Sequence, residues 1–230
     1  MPVRPSRVTQ RCNSVCACSN SRVRCVTSRS SIKRGITDRG GNVLDTDSRL
    51  GKMVDFGTSA LLSMIDYALL KHKTVEVWCV PGNHDDLLSW MLAKFLSAWY
   101  RSEPRVKINT EPRFFFYREF GRNLIGSTHG HGPSPGELGG VMATDEPEAW
   151  GRTEWWHWLT GHIHHKTQHV SKEHRKVIVE SFNTLAPQDW WHYFKGYRSR
   201  QNMQSITFDW DAGEVERHTV NVSSKMMAVA

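Results

Sequence analysis

Val75-Glu76-Val77-Trp78-Cys79-Val80-Pro81-Gly82-Asn83-His84-Asp85-Asp86 runs from an apolar, β-branched segment through a short turn into the start of an amphipathic stretch. Such a strand, turn and helix place the turn's polar side chains at the end of a sheet, where they are exposed yet held by a rigid scaffold. The helix that follows spans about residues 86–99, with Leu88, Met91, Leu92, Phe95 and Leu96 expected on its buried side.

Two further turns carry the same residue type. Leu124-Ile125-Gly126-Ser127 leads into Thr128-His129-Gly130-His131, and Trp155 to Leu159 leads into Gly161-His162-Ile163-His164. Neutral imidazole is a ligand for zinc, manganese, iron and nickel, and an Asn carbonyl oxygen suits the harder of these. Asn83, His129, His162 and His164 are therefore the candidate metal ligands. One histidine alone would be ordinary among the 12 of this chain; the case rests on three turns in order.

Those three motifs resemble the calcineurin-like metallophosphoesterases, in which Gly-Asn-His-Asp/Glu, a His-Gly-His-like turn and Gly-His-x-His follow one another. The likeness covers roughly residues 41–222. It implies a layered αββα sandwich and hydrolysis of phosphoester bonds by a metal-activated water. It also implies manganese, or else zinc or iron, in a two-ion centre. Asn83, His129 and His162 would hold the second ion, and His164 would help hold the first. His84 would contact the phosphate and protonate the leaving group, as an imidazole titrating near neutral pH can. Asp85 would orient His84. His131 and His165 would have supporting or structural roles.

The family's first two motifs, Asp-x-His and Gly-Asp-x-x-Asp, occur nowhere upstream of Gly82. The second supplies the carboxylate that bridges the two ions. Without that charge two cations about 4 Å apart repel. A phosphoesterase acting on phosphodiesters, such as DNA or RNA, or on phosphomonoesters is thus one expectation. An impaired relative that binds a single ion or a phosphate without efficient turnover is the other.

Composition divides the chain. The net charge is +7, but residues 1–40 hold nine Arg or Lys against Asp38 alone, leaving 21 basic and 22 acidic residues in the rest. A nucleic-acid-binding module carried by this tail is a weaker third reading. The tail is rich in Ser, Arg and Cys and poor in Leu, Ile and Phe, which predicts disorder. Its Cys12, Cys16, Cys18 and Cys25 lack the paired spacing of common zinc modules. The family-like sequence is expected to begin near Gly35 or Gly41, the preceding residues reflecting a truncation, a shifted reading frame or a misplaced start. Asp45 and Asp47 read as a turn and a helix cap rather than as substitute ligands.

The remaining elements are those of one α/β domain, which 39% hydrophobic residues in 230 can support. A helix is expected over Met53 to Leu69, and strands over Arg105–Ile108, Phe114–Phe120 and Asn123–Ser127. Pro133 to Gly151 should be a loop with a short helix. Further strands are expected over Lys176–Phe182, Ser205–Trp210 and Glu214–Val222, with residues 223–230 as a tail. Trp150, Trp155, Trp156 and Trp158 either fill core volume or stack an aromatic group near the metal. Trp190 to Arg200 mixes basic and aromatic residues and reads as a surface loop or a phosphate contact. No apolar run is long enough to span a bilayer, and no apolar leader is present. A soluble, cytoplasmic chain without a membrane partner is expected.

Overall fold

The computed structural model describes residues 14–19, 22–27, 50–83, 85–162, 172–174, 176–183, 185 and 201–222. Helices and two open sheets of mixed strand direction make a mixed α/β fold. In chain order the elements are β1 (Ser14–Ser19), β2 (Arg22–Thr27), α1 (Leu50–Leu69), β3 (Thr74–Trp78), α2 (Asp86–Trp99) and β4 (Val106–Asn109). Then come β5 (Phe116–Phe120), β6 (Asn123–Ser127), α3 (Leu138–Asp145), α4 (Pro147–Arg152) and β7 (Trp155–Thr160). The chain closes with β8 (Lys172–His174), β9 (Val177–Ser181), β10 (Asn202–Asp209) and β11 (Gly213–Asn221).

The first sheet has the order β11-β10-β2-β1-β3-β4 and the second β5-β6-β7-β9-β8. In the first, β3 and β4 run parallel; in the second, β6, β7 and β9 do. Helices α1 and α2 pack on the β3–β4 side through Leu61, Ile65, Val75, Val77, Ala93 and Leu96. Helices α3 and α4 cover the second sheet through Leu138, Met142 and Ala149 against Leu124, Trp158, Val177 and Val179. Phe120, Ile125, Leu159 and Phe182 meet Ile206 and Phe208 between the sheets. Each side chain this deeply buried contributes about 2 kcal/mol, which is why these clusters decide how the layers stack.

The sheets are also tied by polar contacts. The Asn123 amide donates to the Phe120 carbonyl at 2.9 Å and to the Asp209 carbonyl at 2.7 Å. Arg217 of β11 forks across to the buried Glu180 of β9, and also reaches Glu214 and the Gln204 amide oxygen. Burial opposes the Arg217 charge, but these carboxylates outweigh it and hold its pKa above the ordinary value.

Three expectations need correction. Residues 14–19 and 22–27, expected to be disordered with the rest of 1–40, form an antiparallel pair between β3 and β10. Ser19 pairs with Arg22, and the backbone hydrogen bonds of the ladder compensate for little apolar content. The buried side of α2 is Ser89, Ala93 and Leu96, while Met91 and Phe95 are exposed. Small residues let the helix approach the sheet, and this rotates the bulky ones outward. The 133–151 segment holds two helices rather than one, broken at Glu146 where Pro147 starts α4. Of the two readings of the tryptophans, core filling holds for Trp158. Trp158 is fully buried and donates to the Leu138 carbonyl, and Trp150 stacks on Trp156 with centroids 4.3 Å apart. Asp45, Asp47, Gly35, Gly41, Cys12, Trp190 to Arg200 and 223–230 lie outside the described residues.

Candidate metal centre

Three strands end at one place. The turn after β3 carries Asn83, the turn after β6 carries His129 and His131, and the turn after β7 carries His162. The β6–β7 pairing continues past both strands: Thr128 N–H donates to the Leu159 carbonyl at 3.3 Å and Gly161 N–H to the His129 carbonyl at 3.0 Å. The two histidine turns are thereby zipped together. Gly130 lies at φ +91°, and a Cβ there would sit 3.3 Å from the Gly161 oxygen, so a glycine keeps this approach open. His162 lies at φ 65°, a left-handed conformation that costs a non-glycine residue about 1–3 kcal/mol. Strain of that size persists where surrounding structure holds it, and here it turns an imidazole toward the other turns.

The result is a close set of donor atoms from both sheets. His129 Nε2 lies 3.0 Å from Asn83 Oδ1 and 3.3 Å from His162 Nδ1. Oδ1 is an acceptor, so the His129 Nε2–H donates to it in the tautomer that makes this bond. His162 Nδ1 stands at the edge of hydrogen-bond reach of the same nitrogen, as donor or acceptor according to its own tautomer. Replacing the His129 Nε2 proton by a divalent ion would engage all three atoms, so the residues fit a cation of the kind that accepts nitrogen and amide oxygen together. Among the described residues no three His, Cys, Asp or Glu converge on one point; the third donor of this set is the Asn83 amide. His131 packs edge-on against His129 with ring centroids 5.1 Å apart, at the margin of the set.

The Asn83 turn is locked from within. Asp85 is buried, and its Oδ1 accepts the Gly82 N–H at 2.7 Å. Asp85 precedes α2 in the cap position, yet its side chain makes no bond to the helix and reaches back to the turn instead. A Cβ at Gly82 would lie 2.7 Å from that carboxylate oxygen and 3.0 Å from the His129 ring. Gly82 is therefore required for the turn to close beside His129. The sequence reading assigns no role to Gly82 or Gly130; the available signal is a glycine within or beside each polar motif. His84 and His164, expected as proton donor and ligand, and His165 lie outside the described residues.

His157 shows what a histidine looks like when it is core. It is buried on the inner face of β7, edge-on to Phe208 at 5.0 Å, and burial lowers its pKa to about 4. Glu214 at 3.7 Å opposes that shift and Arg217 adds to it.

Comparison with models of known protein families, with characterised proteins and with solved structures found no match. No helix among the described residues is long and apolar enough to cross a membrane.

Proposed function

We propose that this chain is a metal-dependent phosphoesterase with the αββα sandwich of the metallophosphoesterases. The single observation that carries the reading is the meeting of Asn83, His129 and His162, from three turns and two sheets, within 3.3 Å. They are the three residues that the motif resemblance assigns to one ion. The packing of α1 and α2 on one sheet and α3 and α4 on the other supports the same reading.

Asn83, His129 and His162 would hold the divalent ion, manganese foremost, with His164 contributing by resemblance. The ion supplies Lewis acidity toward a phosphoryl oxygen and makes water a better nucleophile at neutral pH. Asn83 offers a neutral oxygen, so it leaves the ion's positive charge available to the substrate phosphate. Asp85 holds the turn that carries Asn83 and His84. His84 donates the proton to the departing ester oxygen. The substrate is a phosphodiester, such as nucleic acid, or a phosphomonoester.

A specific observation favours the second reading, a single-ion relative with weak turnover. On the side of β3 away from β4 lie the antiparallel β1 and, beyond it, β2, and neither Ser14–Ser19 nor Arg22–Thr27 contains Asp or Glu. Those strands supply no bridging carboxylate. The two readings separate in one experiment on the full chain. Manganese binding is measured by calorimetry, and hydrolysis of bis(p-nitrophenyl) phosphate is measured beside His84→Ala and His129→Ala. Binding with hydrolysis that falls about 100-fold or more in both variants supports the phosphoesterase. One bound ion with hydrolysis equal to the variants supports the impaired relative. No manganese binding refutes both.

A further inference from the structure

Beside the histidine set lies a cavity of about 250 Å³, lined by Cys79, Pro81, Leu87, Trp90, Pro112 and Phe114, with Asp86, Asn109 and Arg113 at its polar points. It sits between the first turns of α2 and the segment after β4. Cys79 and Pro81 are on the chain that leads into Gly82 and Asn83, so the cavity and the candidate centre share one stretch of backbone. They are joined a second time through rings: Phe114 meets His131 edge-on at 6.1 Å, and His131 meets His129 at 5.1 Å.

The walls fit a flat aromatic group. Trp90 and Phe114 are large rings that remain partly open to solvent, unlike the tryptophans packed under α3 and α4. Trp90 is not loose: its indole N–H donates to the Thr110 carbonyl at 3.0 Å, which fixes the ring against the 109–114 segment. The volume is below the roughly 300–1,000 Å³ of pockets for drug-sized ligands, and suits one fused ring system. Asp86, Asn109, Glu111 and Arg113 set polar groups among the apolar walls, with Arg113 paired to Glu111 and Asn109 Oδ1 accepting the Glu111 N–H. A phosphate at the candidate centre and a ring in this cavity are the two ends of a nucleotide.

We infer that the cavity is a base-binding subsite, and that the phosphoester taken at the centre belongs to a nucleotide whose base enters between Trp90 and Phe114. This rests on the phosphoester reading for the position of the phosphate. Base stacking on an aromatic side chain is worth about 1–3 kcal/mol by alanine substitution, or roughly 5- to 150-fold in affinity.

The test is calorimetric binding to the full chain with manganese, comparing adenosine monophosphate with ribose phosphate, which has the same phosphate and sugar but no base. The expected result is at least about fivefold tighter binding of adenosine monophosphate. The preference should fall toward unity in Trp90→Ala and in Phe114→Leu, and persist in Trp99→Ala, an exposed aromatic of the same helix outside the cavity. The wild-type ratio alone keeps the inference refutable if a variant fails to fold. Equal binding of the two ligands, or binding of neither, overturns the subsite. Bis(p-nitrophenyl) phosphate hydrolysis in the same preparation separates the two readings. Hydrolysis without a base preference refutes the subsite alone, and a base preference without hydrolysis supports the subsite while counting against turnover. Tighter binding of the dinucleotide ApA than of the monophosphate would support a base carried by nucleic acid, and equal binding one carried by a free nucleotide.

Discussion

Lowering the pH should destabilise the fold through His157. Its pKa is 6.5 in the unfolded chain and about 4 when buried, because the inter-sheet layer strips water from the imidazolium, a loss that attraction to Glu214 only partly offsets, and Arg217 adds a smaller repulsion. Above about pH 7 both states are neutral and no stability is at stake. As pH falls from 6.5 toward 4, the unfolded chain takes up a proton that the folded one refuses. Stability therefore drops by up to about 1.4 kcal/mol per pH unit, roughly 3 kcal/mol over the window. That is a large share of the about 5–15 kcal/mol of an ordinary domain. The lowered carboxylates Glu103, Glu119 and Glu137 begin to lose their contributions only below about pH 4.5, at the acid end of this window. The assay is urea unfolding followed by tryptophan fluorescence at several pH values between about 7.5 and 4.5, for wild type and His157→Leu. Neither ring nitrogen of His157 has a hydrogen-bond partner among the described residues, so leucine should be neutral or stabilising at neutral pH. The variant's stability should then decline less steeply with acid. Parallel pH profiles for the two proteins would refute the reasoning, because they would mean that His157 charges freely in the fold.

Other substitutions test other contacts. Gly126→Ala places a Cβ 2.7 Å from the Trp158 ring and 2.8 Å from Met142. A thermal scan should show a loss of about 1–3 kcal/mol, or several degrees. Gly82→Ala sets a methyl against Asp85 Oδ1 and His129, and calorimetry should show manganese affinity falling about 10- to 100-fold, with a smaller effect on melting temperature. Asp85→Asn retains an oxygen to accept the Gly82 N–H and should bind manganese better than Asp85→Ala does. Arg217→Met leaves the buried Glu180 without its guanidinium, and urea unfolding should show a loss of about 3 kcal/mol, partly recovered by adding Glu180→Gln.

The elements legible in the sequence were those whose own residues carry a period or a stop. α2 was read at Asp86–Trp99 and β6 at Asn123–Ser127, because apolar spacing and flanking turn residues mark both. The buried face of α2 was not legible, since the pattern weights Met91 and Phe95 by hydrophobicity, whereas the sheet selects Ser89 and Ala93 by size. β1 and β2 were missed because their place depends on pairing with β3 and β10, which are far away in sequence. At the candidate centre the ordered motifs named Asn83, His129 and His162, but not that β3 belongs to one sheet and β6 and β7 to the other. Nor could local sequence show that the aromatic ring meeting the histidine turns is Phe114, since Trp150 to Trp158 are closer to a histidine motif along the chain.

The direction of β1 bears on how many ions the centre can hold. Because β1 is antiparallel to β3, with Ser14 opposite Trp78, its first residue lies at the end of the sheet from which the Asn83 turn emerges. β2 returns antiparallel to β1, so Thr27 lies at that same end. Two strand ends thus stand where carboxylates would need to be to bridge a second ion, and the nearest described strand residues there are Ser14, Val15, Val26 and Thr27. None can carry the negative charge that holds two divalent cations about 4 Å apart. Asn83, His129 and His162 are neutral donors, so a first ion would keep its full positive charge and repel a second. One manganese per chain is the stoichiometry this arrangement favours. Calorimetry that returned two equivalent ions would require a carboxylate from elsewhere in the chain, and would refute the one-ion stoichiometry.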